Sequence, residues 1–155
     1  MAVNKENIVF HFDRIYLKDI SFESPRSPKI FSEPDYSPKI DVQLNTSHEK
    51  LDQAQGIFEV VLKATVKTTI NLETAFLVEV QQAGVFTISG VNEHHLEQVL
   101  EATCPNALFP FLREQVNRLV TEGGFPAMLL QPVNFDAMYQ QKRSSEDRSS
   151  DGIAH

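Results

Sequence analysis

Several things are scarce in this chain of 155 residues: there is no tryptophan and a single cysteine, Cys104. One cysteine excludes an internal disulfide framework and any cysteine-based zinc cluster. A basic surplus is also missing, since 14 Lys and Arg stand against 21 Asp and Glu for a formal net charge of -7. That sign repels a phosphate backbone, so it argues against binding DNA or RNA, and it is compatible with a basic partner. No run of about 18 apolar residues exists to span a bilayer. The opening stretch MAVNKENIVFHFDRIY lacks the basic-then-apolar pattern of a signal peptide. Nothing resembles a phosphate-binding glycine loop. The expectation is a soluble cytoplasmic protein that uses no nucleotide and inserts into no membrane.

Hydrophobic residues make up 41% of the chain, with 11 Phe and 3 Tyr. The length suits one domain with a real core. A first strand is expected from Ile8 to Phe22. Its apolar positions (Ile8, Phe10, Phe12) slip in phase at Ile15 and Leu17 and slip back at Ile20, as a bulge or burial on both faces would require. Near its end Asp19, Ser21 and Glu23 share the face opposite Ile20 and Phe22. Pro25, Pro28, Pro34 and Pro38 then forbid a regular strand or helix. Ile30, Phe31 and Tyr36 in that stretch predict an extended crossover lying across the domain. Alternation over Ile40–Leu44, Phe58–Val66 and Phe76–Val80 predicts three more strands with one buried face, joined as an antiparallel meander. Gln82–Ala83–Gly84 shifts the apparent phase and predicts a second bulge.

From Gly90 the period changes. Asn92 is a plausible N-cap with Glu93 in the first turn, and a short helix is expected over Asn92 to Thr103. Pro105 and Pro110 should disturb the chain. Leu108, Leu112, Val116, Leu119 and Val120 form a helical stripe that ends at Gly123–Gly124. The loop Phe125–Val133 is strongly apolar, and a last helix starts at Asn134. Residues 141–155 hold no core residue except Ile153 and are expected to be a disordered tail after a single domain over residues 1–140. The fold class is α+β: a four-stranded antiparallel sheet with a long crossover after its first strand, and two C-terminal helices packed on one face.

Four stretches, in order, resemble the SecB family of bacterial protein-export chaperones: RIYLKDISFESP (Arg14–Pro25), ETAFLVEVQQAGVFTISG (Glu73–Gly90), CPNALFPFLRE (Cys104–Glu114) and PVNFDAMY (Pro132–Tyr139). The resemblance covers about residues 8 to 140. It implies an ATP-independent holdase that binds unfolded preproteins in the cytoplasm and delivers them to the SecA motor. It also implies a homotetramer built as a dimer of dimers, and docking of the zinc-binding C-terminal tail of SecA on an acidic sheet surface.

The family's motor-docking patch carries over onto Asp19, Glu23, Leu77 and Glu79. The four form one patch with an apolar centre if the first and last strands are neighbours, although alternation alone equally describes a solvated sheet face. Candidates for the client groove are Phe31, Tyr36, Phe125, Met128, Leu130, Phe135, Met138 and Tyr139. Each taken singly can equally be core. Tyr36 stands where many SecB relatives have Trp.

Cys104 with His94, His95 and Glu97 invites a nucleophile or metal hypothesis, but adjacent histidines do not share a helical face and no oxyanion-hole motif accompanies the thiol. Cys104 before Pro105 reads as a small packed residue. No catalytic residue, metal site or cofactor is expected. Two alternatives remain: an acyl-thioester hydrolase or lipid-binding domain using Cys104 and the apolar loops, and a SecB-like chaperone dedicated to a toxin–antitoxin pair.

Overall fold

The computed structural model describes the backbone of residues 8–153 and the side chains of residues 8–147. Expectations for residues 1–7 and 154–155 lie outside the described residues. Strands β1 (Val9–Glu23), β2 (Lys39–Asp52), β3 (Ile57–Ile70) and β4 (Glu73–Ser89) form one antiparallel sheet in the order β1-β4-β3-β2. The chain therefore leaves β1 at one edge and enters β2 at the other, so the proline-rich stretch crosses the sheet and buries Ile30 on the way. One four-residue 3₁₀ turn, Lys29–Ser32, forms within it, where no regular helix was expected. It is short enough to fit between Pro28 and Pro34.

The phase slips in β1 are two bulges. Phe12 pairs with Phe86 and Arg14 with Val85, leaving Asp13 as an extra residue; Leu17 pairs with Gln82 and Asp19 with Gln81, leaving Lys18. Each extra residue inverts the side-chain alternation that follows it. The bulge expected in β4 is absent, because its register with β3 runs unbroken through Val60↔Gly84, Val61↔Ala83 and Leu62↔Gln82. Gln82 and Gly84 simply occupy inward positions that usually carry apolar side chains. Gln82 is 4% exposed and its Nε2 donates to the Tyr16 carbonyl at 3.0 Å. A Cβ on Gly84 would lie 2.8 Å from the Phe86 ring and 3.2 Å from Leu108, so glycine lets a helix approach the sheet.

Helix α1 (Glu93–Gln98) begins at Asn92, whose Oδ1 accepts from the His95 N–H at 2.7 Å. A π turn, Val99–Thr103, joins it without a break to α2 (Cys104–Glu122). The two prolines do not interrupt the rod as expected. Pro105 sits in the first turn of α2, where its missing N–H matters least. Pro110 lies within α2 on an exposed position, where water reaches the carbonyl it leaves unpaired. Cys104, Leu108, Leu112, Val116 and Val120, four apart, are all buried and place α2 over β4 and β3. The helix stops at Gly123, and Gly124 takes a φ of +89° that glycine adopts without strain.

Coverage by α2 stops short of both sheet edges. Phe10, Phe12 and Leu17 on β1, and Ile40 and Val42 on β2, are exposed although they point to the helix side. The buried face expected for β2 is thus open. Helix α3 (Phe135–Ile153) starts after Asn134, whose Oδ1 accepts from the Ala137 N–H at 3.0 Å. It continues through residues 141–153, which were expected to be disordered. Polar residues there make helical contacts back to the body: Lys142 Nζ lies 3.6 Å from Glu101, and an Arg143 guanidinium nitrogen lies 3.1 Å from His94 Nδ1.

Candidate functional site

The outer face of the sheet, away from the helices, gathers Asp19, Glu23, Leu77 and Glu79. Glu23 pairs directly with Leu77, Ser21 with Glu79, and Asp19 with Gln81. Directly opposed Cβ atoms lie about 5 Å apart and the diagonals about 7–8 Å, so Glu23 and Glu79 flank Leu77 and Asp19 lies one diagonal beyond Glu79. Lys67 borders the patch beyond Leu77, on β3. Strand neighbourhood, which alternation alone leaves open, brings the four together.

Below the patch, between the bulges, the same face carries a polar knot that pattern reading missed. Glu59 on β3 accepts hydrogen bonds from the Tyr16 hydroxyl and from Lys18 Nζ, the latter at 2.8 Å. These donors hold the Glu59 carboxyl below its ordinary range, Lys18 contributing most. Burial, aided by the adjacent carboxylate, pushes the Tyr16 hydroxyl up to about 12. No sequence signal links these residues, because the contact skips over β4 and exists only once Lys18 bulges out.

On the helix side a groove opens where α2 leaves β2 uncovered. Val42, Leu44, Phe109, Leu130, Val133 and Met138 line a cavity of about 420 Å³. The expected client residues divide here. Phe31 (51% exposed), Tyr36 (47%) and Met138 (37%) present apolar surface, and Met128 is half-buried. Phe125, Leu130, Phe135 and Tyr139 are buried within this chain, the core reading that stood open for each of them. Phe125 packs, tilted, between Phe76 at 4.7 Å and Phe31 at 5.3 Å, and Phe135 meets Phe109 edge-on at 5.8 Å. Of these, Leu130 lines the groove, and Phe135 and Tyr139 line a pocket that adjoins it.

Cys104 is fully buried, and desolvation pushes its thiol up to about 12, so it is no nucleophile at neutral pH. Among the described residues, no group of three or more His, Cys, Asp or Glu is placed to hold a metal ion, and no helix is long and apolar enough to cross a membrane.

The model of the family described as preprotein translocase subunit SecB matches residues 3–146. This chain belongs to the SecB family. Proteins named protein-export protein SecB are similar to it throughout. That of Nitrosococcus oceani is 48% identical, over 94% of this chain and 87% of its own. That of Chromohalobacter salexigens is 44% identical, over 95% and 89%. That of Hahella chejuensis is 50% identical, over 86% and 82%. Among solved structures, the SecB-like chaperone of Mycobacterium tuberculosis, in complex with an antitoxin peptide, superposes with a TM-score of 0.68 at 17% identity. It covers 80% of this chain and 90% of its own. The likeness shows that the α+β architecture is the SecB fold.

Proposed function

We propose that this SecB chain is an ATP-independent export chaperone that holds unfolded preproteins in the helix-side groove and is recognised by the SecA motor on the outer sheet face. The observation that carries this reading is the separation of two unlike surfaces by one sheet. An open apolar groove lies on one side and an acidic row ending at Leu77 on the other. An unfolded client offers no fixed shape, so it is held by adaptable apolar surface and by exposed strand edges; Met138 on the groove wall and the β2 edge supply both, with Phe31 and Tyr36 as further exposed aromatics on the crossover. The basic zinc-binding tail of the motor finds charge of opposite sign and an apolar anchor on Asp19, Glu23, Leu77 and Glu79.

Uncovered apolar residues along β1 (Phe10, Phe12, Leu17) support burial against further copies, and so a homotetramer arranged as a dimer of dimers. The chain works in the cytoplasm and catalyses no reaction; the buried, high-pKa thiol of Cys104 disfavours the thioester-hydrolase reading. A toxin–antitoxin role is not favoured. The protein-export name belongs to relatives 44–50% identical, whereas the neighbour bound to an antitoxin peptide shares 17% and only the fold.

Glu79→Lys tests the division. It should weaken SecA binding about tenfold or more by placing a like charge against a basic tail. Capture of an unfolded precursor should be unchanged. Equal loss of both activities would refute the two-surface reading.

A further inference from the structure

The two-residue turn between β3 and β4, Asn71 and Leu72, has both φ angles positive, +50° and +67°. Hairpin turns of this kind favour Asn-Gly, because asparagine tolerates the left-handed region and glycine enters it freely. Asn71 fits. Leu72 is strained there, since its Cβ crowds the carbonyl oxygen that follows it. Leu72 is also 100% exposed, so all of its apolar surface meets water. An exposed leucine by itself is ordinary. One that is both strained and wholly in water adds nothing to the fold, and backbone strain of this sort collects where a protein uses it.

The proline-rich crossover clasps this turn. Asn71 Nδ2 donates to Glu33 Oε2 at 2.7 Å, and an Arg26 guanidinium nitrogen lies 3.5 Å from Glu73 Oε1. The crossover is itself fixed through Phe31, whose ring packs 5.3 Å from Phe125 and stands where a Cβ on Gly124 would come within 3.1 Å. Phe31 lies two residues before Glu33 and Tyr36 three after it, both about half exposed, and Leu72 directly follows Asn71. One hydrogen bond thus gathers three exposed apolar side chains at one end of the sheet, on segments that are tied together. Leu77, the apolar residue of the outer acidic row, lies five residues along β4, about 16 Å in an extended strand.

We propose that Leu72 is a further client contact, forming with Phe31 and Tyr36 a rim at the end of the sheet that takes an apolar side chain of an unfolded preprotein. The inference rests on Phe31 and Tyr36 being client residues. Three side chains on a turn and a crossover are too little surface for a folded partner, which needs about 800 Å² on each side. They suffice to hold one apolar residue of a flexible chain whose other residues bind elsewhere on the subunit, because each added contact of a tethered chain is intramolecular. Asn71 is then a positioning residue: its bond to Glu33 keeps Leu72 beside the crossover aromatics.

The chain's one cysteine is buried, so Leu72→Cys supplies a single accessible thiol. Its alkylation by iodoacetamide at neutral pH is followed by the mass of the full-length chain in three states: alone, saturated with a reduced and carbamidomethylated globular protein that cannot refold, and saturated with the zinc-loaded tail peptide of SecA. The unfolded protein should slow alkylation about fivefold or more, and the tail peptide should leave it unchanged. Leu72→Gly should raise the melting temperature by about 2–4 °C as the left-handed strain is released. It should at the same time weaken the fluorescently labelled unfolded protein about fivefold, a part of what full burial of a leucine gives. A residue with a merely structural role does not lose binding while the fold gains stability. Protection by the tail peptide instead of the unfolded protein, protection by neither, or a Leu72→Gly variant with unchanged client affinity would overturn the rim. Phe31→Ala separates the two readings: if it weakens the client while Leu72→Gly does not, only the rim fails, and if neither does, the reading of the crossover aromatics fails with it.

Discussion

Replacing Glu59 by Gln changes one atom and should separate the charge of the outer-face knot from its shape. The carboxylate accepts from the Tyr16 hydroxyl and, at 2.8 Å, from Lys18. Hydrogen bonds to a charged acceptor contribute about 1.5–3 kcal/mol, and an ion pair whose lysine is nearly half exposed adds at most about 1 kcal/mol. A glutamine oxygen retains the Lys18 bond without its charge, and the NH₂ must reverse the Tyr16 bond by donating to the phenol oxygen. The net loss is about 1–2 kcal/mol, or roughly 2–8 °C in melting temperature for a chain of this length, at a fixed protein concentration. The pH dependence carries the sharper test. Glu59 titrates below its ordinary range when folded, so its contribution is present above the unfolded pKa and lost as pH falls through the folded one. The gap between wild type and variant should be full at neutral pH and close on acidification below the usual glutamate range. Tyr16 behaves oppositely. Raised from 10 to about 12, its contribution is complete below pH 10 and lost as pH rises toward 12, and Tyr16→Phe should remove that alkaline decline. Urea unfolding followed across pH measures both limbs. A gap that persists unchanged in acid, or a glutamine variant as stable as wild type at neutral pH, would refute the reasoning.

Other perturbations have equally definite outcomes. Phe76→Ala removes a fully buried ring packed 4.7 Å from Phe125 and 6.0 Å from Phe22, and should lower unfolding stability by about 3–5 kcal/mol; a loss under about 1 kcal/mol would contradict its place in the core. Met138→Asp puts a charge on the groove wall and should weaken capture of an unfolded precursor about tenfold with little change in melting temperature, since the residue is 37% exposed. Cys104 should resist a thiol reagent at neutral pH until the protein unfolds, and alkylation at the rate of a free thiol would contradict its burial.

The strands and their sidedness were readable because alternation is local. β3 and β4 followed their pattern, and the slips around Ile15 and Ile20 marked the bulges at Asp13 and Lys18. Gln82 and Gly84 misled because they meet tertiary needs: one serves the Tyr16 carbonyl, the other admits Leu108. Pro105 and Pro110 misled because a π turn and a solvent-facing position absorb what proline breaks elsewhere. That Asp19, Glu23, Leu77 and Glu79 share one face followed from periodicity once β1 and β4 were neighbours. The groove was harder, since hydrophobicity does not distinguish Phe125, which is core, from Phe31, which is surface. Glu101 and Glu59 gave no signal at all, because their partners lie 41 to 55 residues away in sequence or across an intervening strand.

The two bulges in β1 act as a parity count. Asp19, Ser21 and Glu23 face outward together with Val9 and His11 only because two single-residue shifts, at Asp13 and Lys18, cancel. Gaining or losing one residue between Phe12 and Asp19 would exchange inside for outside along half the strand, sending Asp19 and Glu23 toward the helices and Ile20 and Phe22 into water. A second change of one residue would restore the original frame. Length variation in this strand is therefore tolerated in twos and not in ones, much as a reading frame tolerates threes.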